Sequence, residues 1–222
     1  MATMTRPPRG LGGRAVAYFA VRDLIPLCAV YALLFSDNGL STAEISSLLV
    51  IWSVTAFVLE GPSGAWADAV SRRGLLVLSS LLYAVGLSLW IAVPSYAAFA
   101  AGFVLWGASG ALMSGTFQAL LYDELAANNA ASHYARLMGW ANSLAMVATV
   151  VGTALATPLL RWAATTLVGW VSVGVALVQA LLALSMPAAP RTNEAGDSDL
   201  DRSHDIAGGV ARRYVVMLQS GL

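Results

Sequence analysis

Six apolar runs, each long enough to cross a lipid bilayer, constrain this chain more than any other feature. A membrane-spanning helix needs about 20 mostly apolar residues. The runs cover residues 15–35, 43–67, 74–93, 96–122, 137–159 and 165–186. Backbone groups in lipid must be paired within a helix or within a closed barrel, and no run alternates as a barrel strand does. The sequence therefore predicts an all-α integral membrane protein with six transmembrane helices.

The composition supports the same class of protein. Hydrophobic residues make up 58% of the chain and charged residues only 11%, whereas a soluble domain carries about 25% charged residues. The net charge is zero, which gives no indication of a nucleic-acid partner. Cys28 is the one cysteine and lies inside an apolar run, so we interpret it as a small core residue. No cofactor is predicted.

The arginines predict the orientation in the membrane. Basic residues favour the cytoplasmic loops of membrane proteins. With the N-terminus inside, Arg161 is the arginine on the outer side and Arg22 lies within the first run, while the remaining arginines face the cytoplasm. We therefore expect a multi-pass protein of the plasma or inner membrane with both termini in the cytoplasm.

The apolar runs also divide the chain. Residues 1–14 form a cytoplasmic tail, residues 15–186 form the six-helix bundle, and residues 187–222 form a polar linker or tail. The stretch at 187–205 is rich in Pro and Asp and is predicted to be disordered. The apolar residues at 214–218 indicate an approach to further protein. We expect this segment to lead to a missing second half.

The turn between the second and third runs carries three charges. It reads GAWADAVSRRG at 64–74 and follows EGPSG at 60–64. The stretch resembles the signature G-x-L-x-D-x-x-G-R-R/K between helices 2 and 3 of major facilitator superfamily transporters, which commonly also have the lead-in E-x-P-S-G. The matching positions are Gly64, Asp68, Arg72 and Arg73. The positions that depart from the signature are Trp66, Ala69 and Ser71.

The resemblance implies that the chain is one six-helix half of such a transporter, with a 3+3 inverted repeat. It also implies that the charged turn latches the two halves of the transporter in one state and releases them in another. Arg72 and Arg73 could pair with Asp123 or Glu124 at the end of helix 4, and Arg136 opens helix 5 on the same side. The alternative is plain anchoring by positive charge, which explains the arginines but leaves Asp68 and the acidic pair unexplained.

Three charges fall inside the apolar runs. Ionisable residues at such depths usually face a cavity or a partner. At about 1.5 Å per residue, Arg22 lies roughly 12 Å from Arg14 and Glu60 roughly 10 Å from Ala67. The matched depths predict an Arg22–Glu60 ion pair. Asp23 then remains available for coupling to protons, although a purely structural cluster is an equal alternative.

Three polar residues lie at similar depth, namely Gln118, Asn142 and Gln179. Such side chains either line an inward-facing cavity or hydrogen-bond one helix to another. The sequence lacks two signatures of many drug–proton antiporters of the superfamily, a buried arginine on helix 4 and Gly-Pro-x-x-Gly-Gly on helix 5. The resemblance therefore leaves efflux as one option among several.

An enzyme must also be considered. The stretch WGASG at 106–110 resembles the G-x-S-G of rhomboid intramembrane proteases, with Ser109 as the nucleophile. A nucleophilic serine needs an adjacent base, and that family takes it from a histidine on helix 6. Helix 6 has no histidine here, since His133 precedes helix 5 and His204 lies in the tail. We therefore predict a protein that is not an enzyme.

The predicted function is secondary active transport of a small molecule by alternating access. The sequence shows no nucleotide-binding loop, so transport would draw on an ion gradient. Alternating access needs two bundles around one site, which predicts a second six-helix half or a homodimer as partner. The third option is a six-helix membrane scaffold without transport.

Overall fold

A computed structural model describes residues 11–186, and for residues 11, 62–69 and 163–164 it describes the backbone alone. Contacts divide the chain into Met1–Ala189 and Pro190–Leu222, and every described residue belongs to the first unit. The predicted tails therefore lie almost entirely outside the described residues, and the domain boundaries stay predictions. The longer helices are α1 Leu11–Asp23, α2 Tyr31–Asp37, α3 Thr42–Ala69, α4 Arg72–Ala92, α5 Tyr96–Met113, α6 Thr116–Ala127 and α7 Tyr134–Leu184.

The prediction of six membrane-spanning helices is confirmed. Six segments are long and apolar enough to cross a bilayer, and the described residues contain no strand. The spans, numbered 1 to 6 in chain order, are Gly12–Asp37, Thr42–Gly61, Arg72–Ala92, Tyr96–Ala127, Ala131–Trp162 and Thr165–Leu184. The boundaries differ from the predicted runs by a few residues, because helix caps and charged first turns extend beyond the apolar residues.

Span 1 is broken near its middle, where the sequence predicted one continuous helix. The cause is Pro26, which lacks a backbone N–H and forces the preceding residue out of helical geometry. Ile25 accordingly has an extended backbone with φ −111° and ψ 99°. A short 3-10 turn at Pro26–Ala29 joins α1 to α2. The N–H of Leu27 donates to Ser172 Oγ at 3.0 Å, so span 6 satisfies a backbone donor that the break releases.

Span 4 is also broken, between α5 and α6. Gly115 has φ +78°, a left-handed conformation that residues with a side chain adopt only at a cost. Its N–H donates to Gln118 Oε1 at 2.9 Å. The predicted span over 96–122 is confirmed, but the sequence did not predict the break within it. A single glycine in an apolar run gives no warning that it will take positive φ.

Spans 5 and 6 form a hairpin, although all 51 residues of α7 are assigned as helical; Pro158, which cannot donate a backbone hydrogen bond, lies just before the reversal. A straight helix of that length would measure about 76 Å. Instead, Leu137 packs against Gly12, and Arg14 contacts Ser185. Gly152 lies against the backbone of residues 24 and 25, close to where Ser172 binds Leu27. Residues 137 and 185 therefore lie at one level of the bundle, and residues 152 and 172 at another. Both pairs are centred on residues 161 and 162, so the chain reverses there, at the predicted outer turn.

The buried side chains form two clusters, one towards each end of the bundle. The first holds most of the aromatic residues and includes Phe35, Trp90 and Phe103. The second includes Ala15, Leu125 and Met186, and we call this end of the bundle the Arg72 end, since α4 begins there. The main helix pairs are α1 with α7, α4 with α5, α4 with α7, and α3 with α5. This packing brings the ends of α1, α4, α6 and α7 together at the Arg72 end.

Candidate functional site

The charged turn is shorter than the sequence indicates. Helix α3 continues to Ala69 and α4 begins at Arg72, so two residues, Val70 and Ser71, connect them. Ser71 caps α4, because its Oγ accepts a hydrogen bond from the N–H of Gly74 at 3.1 Å. The residue that departs from the superfamily signature therefore has a structural role here. Gly64 and Asp68 lie on α3, where the structure describes the backbone alone.

Arg72 and Asp123 form an ion pair between α4 and α6. Their side chains are 25% and 42% exposed, so the pair lies at the margin of the bundle and not in its core. Arg72 occupies the first turn of α4, where the helix dipole disfavours a positive charge. The carboxylate of Asp123 offsets that charge. Of the two acidic partners that the sequence offered, Asp123 is the one that contacts Arg72.

Two further arginines bind the end of α7, a contact that the sequence analysis missed. Arg14 Nη1 donates to the backbone oxygen of Ser185 at 2.9 Å, and Arg73 Nη1 donates to that of Met186 at 3.3 Å. The last carbonyls of a helix have no partner within the helix and carry partial negative charge. Arginines from spans 1 and 3 therefore cap span 6. Arg136, in the first turn of α7, is exposed.

Glu124 differs from its neighbour Asp123 in its exposure and in its partners. Its side chain is 7% exposed. Its Oε1 is buried and has no hydrogen-bond partner in the part of the chain that the structure describes. The two adjacent carboxylates of α6 thus occupy different environments, since one is paired at the margin and the other has a buried oxygen with no partner among the described residues.

The intramembrane charges Arg22 and Asp23 end α1, directly before the break in span 1. Both are half-buried and interact electrostatically with each other. Glu60 is exposed on α3 and makes a contact of its own. Because α1 packs mainly on α7 and α3 mainly on α5, the Arg22–Glu60 ion pair stays a prediction.

The three polar residues, for which the sequence left open a cavity or hydrogen bonds between helices, have different surroundings in the structure. Gln118 is exposed, and its amide oxygen caps Gly115 at the break in span 4. Asn142 is exposed on α7. Gln179 is buried and interacts with the hydroxyl of Tyr18, which itself donates to the backbone oxygen of Leu76 at 3.4 Å. Gln179 therefore links spans 1 and 6, and a shared cavity stays a prediction.

An aromatic cluster lies beyond the break in span 1 and was not identified from the sequence. Trp106 of α5 is its centre and contacts Tyr83 at 5.8 Å between ring centroids, Trp52 at 5.4 Å and Tyr31 at 6.4 Å. These four residues come from four different spans. Tyr83 is buried, whereas the other three are partly exposed. The sequence signal was present, since Tyr31 follows Pro26 closely, but aromatic residues in apolar runs are usually read as core.

Ser109 has no catalytic surroundings. It is buried, and its Oγ lies 3.0 Å from Ser79 Oγ. His133, the one histidine among residues 11–186, lies near Ser132 in the turn before α7. Ser109 and Ser79 therefore join α5 to α4, which is a packing role. Within the same residues no group of three or more His, Cys, Asp or Glu side chains could hold a metal ion.

Comparisons with known proteins agree with this architecture. No curated protein matches the chain in a sequence search. A family model described as Major Facilitator Superfamily matches residues 15–218, which is most of the chain. Together with the six spanning helices, this match shows that the chain belongs to the major facilitator superfamily of multi-pass membrane transporters.

Proposed function

We propose that this chain supplies one six-helix bundle of a secondary active transporter that moves a small molecule by alternating access. The observation that carries the proposal is the pair of breaks in spans 1 and 4. In secondary transporters, substrate and ion sites form near the bilayer midplane where transmembrane helices are discontinuous. Spans 1 and 4 are the first helices of the two triplets in a 3+3 repeat, so each triplet has a break in its first helix.

The two breaks also lie at the same depth. From the start of α1 at Leu11 to the break after Asp23 the helix rises about 20 Å, and from Ala127 back to Gly115 it rises about 18 Å. Phe117, just beyond the break in span 4, contacts Phe19 of α1 at 5.0 Å between ring centroids. The discontinuous helices are therefore neighbours, which supports a common site.

The aromatic cluster and the charges at the break in span 1 favour a flat, apolar or amphipathic substrate. Tyr31, Trp52 and Trp106 present partly exposed rings, and large rigid rings are well suited to stacking against such molecules. Arg22 and Asp23 stand at the break in span 1. We propose Asp23 as a coupling group, because an ionisable residue within the bilayer most often serves a substrate or ion pathway.

We further propose that the turn at 68–73 works as a conformational latch at the cytoplasmic end. The ion pair of Arg72 with Asp123, and the arginine contacts at the end of α7, join four helix ends. These contacts are partly exposed, so they can be exchanged at small cost. We propose that this end and both termini lie in the cytoplasm. The membrane that holds the protein is then the plasma or inner membrane of the cell.

A second six-helix bundle, either a separate half or a second copy of this chain, completes the proposal. Spans 2 and 5 bury only 6% and 17% of their most apolar windows, less than the other four spans. They are the second helices of the two triplets and carry large exposed apolar side chains, among them Phe57 and Val150. We propose that these two spans form the face against which the other bundle packs.

The test is to purify the 222-residue chain, reconstitute it in liposomes, and measure its oligomeric state together with gradient-driven flux in both directions. The substrate panel consists of flat amphipathic compounds. We expect flux from a dimer, or from the chain mixed with a second six-helix half, and loss of gradient dependence in Asp23→Asn. Flux from a monomer would refute the need for a second bundle, and no flux from any folded form would favour the scaffold.

A further inference from the structure

A buried carboxylic acid adjoins the latch. Glu124 follows Asp123 on α6, yet its side chain turns inward, with 7% of its surface exposed. Apart from Thr116, the other buried residues of its helix are apolar and include Leu120, Leu121 and Leu125. Its Oε1 accepts no hydrogen bond from any described residue.

The charged groups nearby do not satisfy this oxygen. Asp123, the adjacent residue, is itself negative and is paired with Arg72. Arg14 and Arg73 donate to carbonyls at the end of α7. The charged and titratable groups on the elements packed around α6 at this end are Arg14 and Tyr18 of α1, Arg72 and Arg73 of α4, His133, and Tyr134 and Arg136 of α7.

This place disfavours an ionised carboxylate, because one of the two oxygens is buried and unpaired among the described residues. An unpaired buried charge is so unfavourable that the group takes up a proton instead. A protonated carboxyl group is neutral, and burying it resembles burying an amide. We propose that Glu124 is a proton-binding site, occupied while the Arg72–Asp123 latch is closed and emptied when the latch opens.

The coupling follows from the position of the two acidic residues on one helix. Asp123 holds α6 against α4, and Glu124 is covered as long as α6 stays there. Separation of the pair would let water reach Glu124, which then releases its proton to that water and becomes an ordinary exposed carboxylate. Closing the latch takes the proton back from the same water. The inference rests on the proposed latch and names the proton as a coupling ion.

Infrared spectroscopy gives a test that does not depend on transport, because a protonated carboxyl group and a carboxylate absorb at different frequencies. The full chain is measured at neutral pH in an ester-free detergent, since ester carbonyls of lipids absorb in the same region. We expect a protonated-carboxyl band that is lost in Glu124→Gln and kept in Asp37→Asn, a control at an exposed aspartate. A spectrum without this band, or a band that survives in Glu124→Gln, would overturn the proposal.

The variant Arg72→Gln separates coupling from simple electrostatics, because the two predict opposite signs. Removing a positive charge near Glu124 would by itself strengthen the protonated band. Opening the latch would expose Glu124 and weaken the band at the same pH. We expect weakening, and a stronger or unchanged band would contradict the link between proton and latch.

Flux measurements then tell the two proposals apart. In liposomes, Glu124→Gln should lose the dependence of flux on cytoplasmic-side pH, and Glu124→Asp should retain it. Flux from Glu124→Gln with unchanged pH dependence would exclude Glu124 as a coupling site while leaving transport intact. Absence of flux in every form, with the infrared band in place, would reject the transport proposal and leave the proton site standing.

Discussion

Arg72 and Asp123 meet across 51 residues of sequence and join the first turn of α4 to the last turns of α6. Exposed ion pairs contribute at most about 1 kcal/mol to stability. A difference of that size shifts an equilibrium between two conformations by about fivefold. The pair is therefore too weak to hold the fold together and strong enough to bias one state over another.

The first prediction follows from this distinction. Arg72→Gln and Asp123→Asn should each change flux by about fivefold while leaving the melting temperature within a few degrees of wild type. The exchanged pair, Arg72→Asp with Asp123→Arg, should recover part of the flux. Arg136→Gln is the matched control, because Arg136 is an exposed arginine at the same end. Equal effects from Arg136→Gln would mean that general positive charge matters, and not the pair.

The second prediction concerns Ser71, where the superfamily signature has glycine. Ser71→Ala removes the cap on the N–H of Gly74 and should lower stability by about 1 kcal/mol. Ser71→Gly should lower it by only a few tenths of a kcal/mol, because glycine leaves the helix end open to water. Ser71→Asp should retain the cap. Thermal unfolding in detergent ranks the variants, and a glycine variant less stable than the alanine variant would contradict the capping role.

The third prediction concerns the arginines that cap α7. Arg14→Gln removes a donor to the carbonyl of Ser185, the C-cap residue of the helix, and Arg73→Gln removes a donor to the carbonyl of Met186 just beyond it. Each contact contributes about 0.3–1 kcal/mol by analogy with other charges at helix ends. We expect faster hydrogen exchange at residues 181–186 in both variants and the fastest exchange in the double variant. Arg161→Gln, at the reversal in the middle of α7, should leave exchange there unchanged.

The fourth prediction is the orientation, tested by labelling single cysteines in intact cells. Cys28→Ser serves as the background, because a serine hydroxyl can keep the hydrogen bond to Tyr83. Asn38→Cys and Trp162→Cys should react with an impermeant reagent from outside, since both positions are exposed. Val70→Cys and Ala127→Cys, also exposed, should react only after the membrane is opened. Labelling of Val70→Cys in intact cells would invert the topology.

The length and the boundaries of the apolar runs predicted the membrane-spanning segments and the turns between them. The six spans follow from run length, and the reversal in α7 follows from the polar interruption near Arg161. The breaks in spans 1 and 4 escaped prediction for different reasons. Pro26 was visible, but apolar residues on both sides favoured a single run. Gly115 was one glycine among several, and its positive φ depends on tertiary packing.

The partners within the candidate site needed the three-dimensional structure. Asp123 and Glu124 are adjacent, and one step along a helix turns a side chain by about 100°. The rotation of α6 therefore decides which carboxylate meets Arg72 and which is buried. The sequence alone does not determine this rotation, so it could not predict which of the two residues pairs with Arg72. The same limit applies to Gln118, whose short-range contact with Gly115 could have been anticipated had the break been recognised.

The last prediction tests whether the break in span 4 has to exist. A Cβ at Gly115 would meet no atom within 4 Å, so Gly115→Ala is opposed by backbone conformation alone. We expect a loss of about 1–2 kcal/mol from the left-handed geometry, and a smaller loss in Gly115→Asn, since asparagine tolerates this conformation. Gly110→Ala is the matched control: its Cβ also has open space, but its helical backbone should gain about 0.5–1 kcal/mol. Thermal unfolding in detergent measures both signs, and flux in liposomes measures the consequence for transport. If Gly115→Ala were as stable as Gly110→Ala, the helix would have straightened, and unchanged flux in that variant would remove the break from the substrate site.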